Sequence, residues 1–147
     1  MKSQRNKKGF TIVEIMAVLV IIGLLATMVG TQVIKQIERA KRETTKANLK
    51  TLHTAVNQFF MDVGRLPTQE EGLVALVEEP ADAPGWDPSG YLDSTRVPPD
   101  GWKNEFKYFK DPESGKPFEI RSPGPDGEFY TDDDLISTDL DKEVKDE

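Results

Sequence analysis

A continuous apolar segment near the N-terminus constrains the fold of this chain more than any other feature. Residues 10–29 (FTIVEIMAVLVIIGLLATMV) contain only three polar side chains, those of Thr11, Glu14 and Thr27. Twenty residues at ~1.5 Å each make a helix ~30 Å long, which matches the thickness of a bilayer's hydrocarbon core. Because the apolar side chains surround that helix, it suits lipid better than a protein surface. The segment therefore predicts a transmembrane helix.

Basic residues in front of this segment predict its orientation. Residues 1–9 contain no acid and four bases, Lys2, Arg5, Lys7 and Lys8. By the positive-inside rule, the N-terminus is expected in the cytoplasm. A cleaved secretory signal is the alternative, but the apolar segment is long, residues 26–28 make a poor cleavage site and Glu14 interrupts the segment. An ordinary signal peptide is the less favoured interpretation.

An amphipathic stretch continues the helical pattern. Residues 32–63 contain neither proline nor glycine, whereas Gly64 and Pro67 predict that the helix ends near Val63. Six apolar residues recur at helical spacing and form one face: Leu52, Ala55, Val56, Phe59, Phe60 and Val63. A helix from about Phe10 to Val63 therefore needs a small domain to cover this face.

The next segment predicts a short helix and a long ordered loop. Residues 68–71 (TQEE) match a capping box in front of a helix over residues 73–77, which ends before Pro80. Residues 81–101 are rich in Pro, Gly and Asp, as loops are. Three aromatic residues are expected to pin this loop: Trp86, Tyr91 and Trp102.

Two alternating segments predict an antiparallel hairpin. Residues 105–110 (EFKYFK) and 118–122 (FEIRS) alternate apolar and polar side chains, and residues 111–115 between them have turn chemistry. Two strands alone are marginally stable, so the amphipathic helix has to complete their core. The expected fold class is α+β, with a long N-terminal helix packed on a small antiparallel sheet.

Composition excludes several functional classes. The chain has 19 basic and 26 acidic residues, a net charge of −7, which does not suit a general nucleic-acid binder. It has no cysteine, which excludes disulfides and thiolate metal sites. The single histidine, His53, lies among polar neighbours and is expected to be solvated. No nucleophile or phosphate loop accompanies the acidic residues, so an enzyme is not expected.

The leader and the start of the apolar segment carry a resemblance. Residues 7–14 (KKGFTIVE) resemble the class III signal of type IV pilins and pseudopilins. The resemblance implies that a prepilin peptidase cuts between Gly9 and Phe10 and methylates the new N-terminal Phe10. Glu14 is then the fifth residue of the mature chain.

Glu14 needs a partner because a carboxylate in lipid costs ~2.5–3.5 kcal/mol on insertion scales. In a helical bundle it can pair with the Phe10 amine of a neighbouring subunit and set the axial register, as buried polar residues do in coiled coils. The alternative is that Glu14 reaches the headgroups in a monomeric anchor.

Later segments resemble the major pseudopilin of type II secretion systems more specifically. Residues 66–76 (LPTQEEGLVAL) resemble its PT-x-x-x-GL-x-AL segment. Four residues partly match its loop before the first strand: Pro98, Asp100, Trp102 and Phe106. Residues 122–127 (SPGPDG) and 133–135 (DDL) resemble its calcium loop. Members often have a proline at the position of Thr31, where this chain has Gly30-Thr31.

The loop over residues 122–136, the acidic loop, is the candidate metal site. Ca²⁺ prefers six to eight oxygen ligands from carboxylates, backbone carbonyls and water. No EF-hand spacing is present, so the residues alone leave solvated acids as the plainer interpretation. The resemblance implies Ca²⁺ as the cofactor, bound by the side chains of Asp126, Asp133 and Asp134 with the backbone carbonyl of Pro123.

The resemblance also implies a pilin-like fold and a function. Subunits are expected to span the bacterial inner membrane once, with the C-terminal part in the periplasm, and to polymerise into a pseudopilus that supports export of folded proteins across the outer membrane. The expected partners are further copies, minor pseudopilins, the inner-membrane assembly platform and the prepilin peptidase, with no nucleic acid. A minor pseudopilin, a type IV pilin of another machine and a monomeric membrane-anchored binding module stay open as alternatives.

The expected organisation has five parts. They are a leader over residues 1–9, a transmembrane and polymerisation helix over 10–30, an amphipathic helix half over 31–64, a globular α/β part over 65–137 with the calcium loop at 122–136, and an acidic tail over 138–147 that matches no motif.

Overall fold

A computed structural model describes residues 9–140 of the chain. In chain order its elements are helix α1 (Ile12–Val63), a 3-10 helix (Gly72–Leu76), strands β1 (Lys107–Lys110) and β2 (Phe118–Ser122), a 3-10 turn (Gly124–Asp126) and strand β3 (Leu135–Ile136). The chain divides into two compact units, one up to Glu38 and one from Arg39 onward.

Local sequence signals set both ends of α1. At its start, the Thr11 hydroxyl accepts a hydrogen bond from the Glu14 backbone N–H at 3.2 Å, which caps the first turn. At its end, Gly64 has a φ of +79° and its N–H donates to the Phe60 carbonyl at 2.9 Å. The predicted end at Val63 is confirmed, and the backbone is helical through Gly30 and Thr31.

The first unit contains the apolar half of α1. An 18-residue window of this helix has a mean hydropathy of 2.7, and none of it is buried in the structure. By length and composition, the helix can cross a membrane. Exposed apolar residues surround it, as the sequence predicted, and Leu19 and Val20 on adjacent faces are 63% and 72% exposed.

The second unit contains a three-stranded antiparallel sheet in the order β1-β2-β3. Tyr108 of β1 is opposite Ile120 of β2, and Ser122 of β2 is opposite Leu135 of β3. The predicted hairpin is confirmed, with β1 starting two residues later than expected. The third strand was not predicted, since two residues are too few to show an alternating pattern.

The amphipathic part of α1 provides one wall of the core. Leu52, Val56 and Phe59 are fully buried, and Ala55 is nearly so. The prediction that Phe60 lies on the same covered face is wrong, because Phe60 is 49% exposed. His53 was expected in solvent, but it is half-buried and its ring centroid lies 4.6 Å from that of Phe118. The predicted face is therefore confirmed except at Phe60, since Val63 also packs against the core, and the covered surface extends to His53.

The predicted capping box forms, although the helix behind it is a 3-10 helix. The Thr68 N–H donates to the Glu71 carboxylate at 2.8 Å, and the Glu71 N–H donates to the Thr68 hydroxyl at 3.2 Å.

The long loop is pinned by its aromatic residues as expected. Trp86 donates from Nε1 to the Ala75 carbonyl at 2.8 Å, and the Tyr91 ring packs against Phe59 and Trp86.

Candidate functional site

The predicted processing and assembly residues lie at the start of α1. Gly9 and Phe10 precede the helix, and the Phe10 side chain is 81% exposed. Glu14 is exposed in the first helical turn, where a negative charge suits the positive end of the helix dipole. Residues 1–8 of the predicted leader lie outside the described residues, so cleavage after Gly9 stays a prediction. The pairing of Glu14 with the Phe10 amine of a neighbouring subunit also stays a prediction.

The acidic loop is anchored on a buried carboxylate, that of Asp100. Its Oδ1 accepts hydrogen bonds from the backbone N–H groups of Trp102 at 2.9 Å and Asn104 at 2.8 Å. Its Oδ2 accepts from the Ser122 hydroxyl at 2.7 Å and from Asn104 Nδ2 at 3.4 Å. The Asp100 side chain is only 4% exposed and its acceptors are well occupied. Asp100 therefore ties the loop before β1 to the end of β2.

That anchor is fixed on helix α1. The Gly101 N–H donates to the Thr45 hydroxyl at 2.8 Å, and Asn48 Nδ2 donates to the Pro99 carbonyl at 2.8 Å. Gly101 lies so close to the helix that an added Cβ would be 2.1 Å from the Lys41 carbonyl oxygen. Only glycine allows the loop backbone to approach the helix backbone this closely.

The two ends of the acidic loop meet at Gly124. Asn104 Nδ2 donates to the Gly124 carbonyl at 2.9 Å, which holds the first end in place. A Cβ on Gly124 would lie 2.4 Å from the Asp133 carbonyl oxygen, so the second end passes directly over this glycine. Gly124 has a φ of +68°, and Gly127, where the loop turns back, has +74°. The loop is therefore closed, with Pro123 buried at its base.

The three predicted metal ligands belong to this loop. Asp133 and Asp134 both approach the Thr131 hydroxyl, at 2.9 and 3.4 Å. The Asp134 Oδ2 also accepts from the Tyr130 N–H at 2.8 Å. The Asp126 carboxylate instead accepts from the Glu128 N–H at 2.9 Å. The structure thus brings Asp133 and Asp134 together, whereas Asp126 bonds within its own turn.

Carboxylate and carbonyl oxygens have the hard donor chemistry that Ca²⁺ prefers, so the residue types fit this ion. Within residues 9–140, however, no group of three or more His, Asp or Glu side chains is close enough together to hold a metal. Calcium binding by Asp126, Asp133, Asp134 and the Pro123 carbonyl therefore stays a prediction.

Arg121 is a member of this site that sequence reasoning missed. Its guanidinium forms a hydrogen-bonded ion pair with Glu119 at 2.5 Å and an ion pair with Asp134 at 3.5 Å. Burial lowers the pKa of Arg121, but the two carboxylates more than offset this and raise it above its usual value. The alternation of β2 was the available signal, because it places Glu119 and Arg121 on the same face of the sheet.

Comparison with known proteins gives the family. Residues 32–139 match the model of type II secretion system protein G, and residues 4–30 match the prokaryotic N-terminal methylation motif. The chain is 37% identical to type II secretion system core protein G of Aeromonas hydrophila, over 90% of this chain and 92% of that protein. It is 34% identical to the protein of the same name from Escherichia coli K12, over 99% of this chain and all of that protein.

A solved structure agrees with this match. The major pseudopilin from the type 2 secretion system of enterohaemorrhagic Escherichia coli superposes with a TM-score of 0.61 and 29% sequence identity, covering 70% of this chain and 90% of that one. Its fold confirms the expected pilin-like architecture of a long helix on a small antiparallel sheet. The family model and the curated relatives cover most of the sequence, and the chain therefore belongs to the type II secretion system protein G family.

Proposed function

We propose that this chain is the major pseudopilin of a type II secretion system and that its role is structural rather than catalytic. Subunits span the bacterial inner membrane once through α1, with the C-terminal unit in the periplasm. They polymerise there into a pseudopilus that supports export of folded proteins across the outer membrane. The observation that carries this proposal is the protein G match beginning directly after an N-terminal methylation motif, on a pseudopilin fold.

Assembly requires contacts with further copies, with minor pseudopilins and with an inner-membrane assembly platform. Treatment of membranes with a lysine-reactive cross-linker tests whether the subunits polymerise. A ladder of homo-oligomers is expected, because a filament places many copies in register. Monomer alone would contradict the filament and favour a membrane-anchored binding module.

Processing is the step that prepares a subunit for assembly. A prepilin peptidase removes residues 1–9 and methylates Phe10, which leaves a positive amine on an exposed residue just before α1. Mass spectrometry of the membrane-extracted protein is expected to give an N-terminal peptide that starts at methylated Phe10. An intact Met1, or a cut elsewhere than after Gly9, would contradict the assignment.

Glu14 sets the register by pairing with the Phe10 amine of a neighbouring subunit. The proposal is supported by its exposure in the first turn of α1, because a charge there needs a partner once the helix is packed among others. Glu14→Leu is expected to reach the membrane and be processed, yet to give no cross-linked ladder.

Thr27→Val is the matched control for Glu14→Leu. Thr27 is also polar within the apolar segment, but its hydroxyl donates to the Leu24 carbonyl of its own helix at 2.7 Å. This variant is expected to assemble normally. A normal ladder from Glu14→Leu would show that the register does not depend on this carboxylate.

Calcium binding to the acidic loop is the second part of the proposal. It is supported by the closed loop, which brings Asp133 beside Gly124, and by the hard oxygen donors. An ion that binds only the folded protein stabilises it by about 2.7 kcal/mol at a hundredfold excess over its Kd. The melting temperature is therefore expected to fall when chelator replaces calcium.

Two variants of the loop sharpen the calcium test. Asp133→Asn removes a proposed ligand and is expected to abolish the response to calcium. Asp132→Asn makes the same charge change at an exposed neighbour outside the proposed ligand set and is expected to keep the response. A wild-type melting temperature that is equal in calcium and in chelator would refute calcium binding.

A further inference from the structure

Two aromatic rings and two carboxylates form a cage around the guanidinium of Arg121. The rings of Phe109 and Tyr130 lie over its guanidinium, with centroids 5.5 and 5.0 Å from Cζ. Glu119 and Asp134 lie close to its nitrogens, at 2.5 and 3.5 Å. Guanidinium groups suit such sites because they combine ring stacking with directed hydrogen bonds to carboxylates.

The two carboxylates of this cage depend on the arginine. The side chains of Glu119 and Asp134 are only 3% and 5% exposed, whereas that of Arg121 is 19% exposed. Two carboxylates buried close together repel each other, and each is costly to bury without a cation. Glu119 belongs to strand β2 and Asp134 to the acidic loop, so Arg121 joins the loop to the sheet.

Tyr130 fixes the loop around this contact. It has a φ of +72°, a left-handed backbone conformation that residues other than glycine adopt at a cost of about 1 kcal/mol or more. Its N–H donates to the Asp134 Oδ2 at 2.8 Å while its ring covers Arg121. The strained backbone therefore serves to place a hydrogen-bond donor and a ring on the same ion pair.

We propose that Arg121 is the built-in counter-ion of the acidic loop, which it holds closed against the sheet through Glu119 and Asp134 without any divalent cation. This inference extends the proposed calcium role, because Asp134 is also one of the three proposed calcium ligands. The guanidinium and the metal then share one carboxylate. Calcium strengthens a loop that is already closed, rather than being the only cation that closes it.

The experiment compares the thermal unfolding of wild-type protein and Arg121→Gln, both full-length in detergent, with calcium and with chelator. In chelator, Arg121→Gln is expected to melt at least ~10 °C lower than the wild type, because it removes the cation that pairs with two buried carboxylates. Calcium is expected to recover part of this loss. The chelator-induced drop in melting temperature is therefore larger in Arg121→Gln than in the wild type.

Lys107→Gln is the matched control. Lys107 faces the same side of the sheet and lies over the rings of Phe109 and Phe129, but the described residues include no carboxylate in a salt bridge with it. The variant removes the same charge and is expected to melt within a few degrees of the wild type. An equal loss in Lys107→Gln would overturn the specific role of Arg121.

A double variant keeps the proposal testable if Arg121→Gln folds poorly. Removing the Glu119 charge as well, in Glu119→Gln/Arg121→Gln, is expected to restore part of the melting temperature, because one buried charge then no longer needs a cation. A double variant no more stable than the single one would overturn the counter-ion role.

The calcium proposal fails separately from this one. If neither wild type nor Arg121→Gln responds to calcium, calcium binding is refuted, while a low melting temperature of Arg121→Gln still supports Arg121 as the counter-ion. If Arg121→Gln melts like the wild type in chelator, the counter-ion proposal is overturned whatever calcium does.

Discussion

The carboxylate of Glu71 accepts two hydrogen bonds from the guanidinium of Arg65, at 2.7 and 2.8 Å. The same arginine donates to the Asp82 carbonyl at 2.6 Å, and the same carboxylate accepts from the Thr68 N–H. One bidentate pair thus joins the turn after α1, the capping box and the long loop. Such paired hydrogen bonds to a charged group are stronger than neutral ones.

This pair predicts a dependence of stability on pH. The hydrogen bond from Arg65 lowers the pKa of Glu71 to about 2, against the opposing effect of burial. Because the pKa is lowered on folding, the stabilisation is complete above the unfolded value near ~4.3 and is lost as the pH falls toward 2. Glu71→Gln is expected to cost about 2–3 kcal/mol at pH 7 and progressively less between pH ~4.5 and ~2.

Urea unfolding of the wild type and Glu71→Gln at a series of pH values measures this difference. Glu70→Gln is the control, since Glu70 is exposed and adjacent in sequence. Its unfolding midpoint is expected to stay close to that of the wild type throughout. A Glu71→Gln deficit of equal size at pH 7 and pH 2.5 would contradict the role of the Arg65 pair.

The contact between Gly101 and α1 predicts that Gly101→Ala strongly destabilises the second unit. The added Cβ would lie 2.1 Å from the Lys41 carbonyl oxygen and 2.7 Å from its carbonyl carbon, which are atoms of the helix backbone. Overpacking of this kind typically costs ~1–3 kcal/mol, because backbone cannot turn aside as a flexible side chain can. The unfolding midpoint in urea gives the cost directly.

Gly23→Ala is the control for this substitution. Gly23 lies within α1, and a Cβ there meets nothing within 4 Å. Its replacement is expected to leave the unfolding of the second unit unchanged. If Gly101→Ala were equally neutral, the close approach of the loop to the helix would be wrong.

Two adjacent phenylalanines predict opposite outcomes. Phe59 is fully buried, and its ring lies 5.6 Å from that of Tyr91, whereas Phe60 is 49% exposed. Phe59→Ala is expected to cost ~3–5 kcal/mol, because it leaves a cavity in the core, and Phe60→Ala less than ~1 kcal/mol. Denaturant unfolding of the two variants under identical conditions checks the contrast. Equal losses would mean that both phenylalanines are buried, as helical spacing alone predicted.

The sequence predicted those features that are set by nearby residues. The capping box at Thr68 and Glu71, the end of α1 at Gly64 and the hairpin turn each depend on a few neighbouring residues, and all three form. The pilin-like fold followed from a motif resemblance and agrees with the pseudopilin structure.

The features that sequence reasoning missed depend on contacts across the fold. Helical spacing gives the directions of Phe60 and His53 but not which segment covers each of them. The predictions that Phe60 is covered and that His53 is solvated were therefore both wrong. Strand β3 exists through its pairing with Arg121 and Ser122 rather than through its own pattern. The contacts of Arg121 do not follow from its local sequence, because the ring of Tyr130 and the carboxylate of Asp134 reach it only after the acidic loop folds back.

Asp100 gives the last prediction, because its carboxylate holds the base of the acidic loop. Asp100→Asn keeps the shape but replaces one acceptor oxygen by an NH₂ group. In one orientation of the amide, this group faces the N–H groups of Trp102 and Asn104. In the other orientation it can donate to the Ser122 hydroxyl, but that hydroxyl and Asn104 Nδ2 both lose this acceptor. Leaving such buried groups without an acceptor is expected to cost ~1–3 kcal/mol.

Hydrogen exchange locates the effect as well as its size. In Asp100→Asn the Gly124 amide, which donates to the Ser122 hydroxyl at 3.1 Å, is expected to exchange faster along with those of Trp102 and Asn104. Asp93→Asn makes the same chemical change at an exposed aspartate and is expected to leave exchange unaltered. If Asp100→Asn lowered global stability without faster exchange at Gly124, Asp100 would stabilise its own loop but not the base of the acidic one.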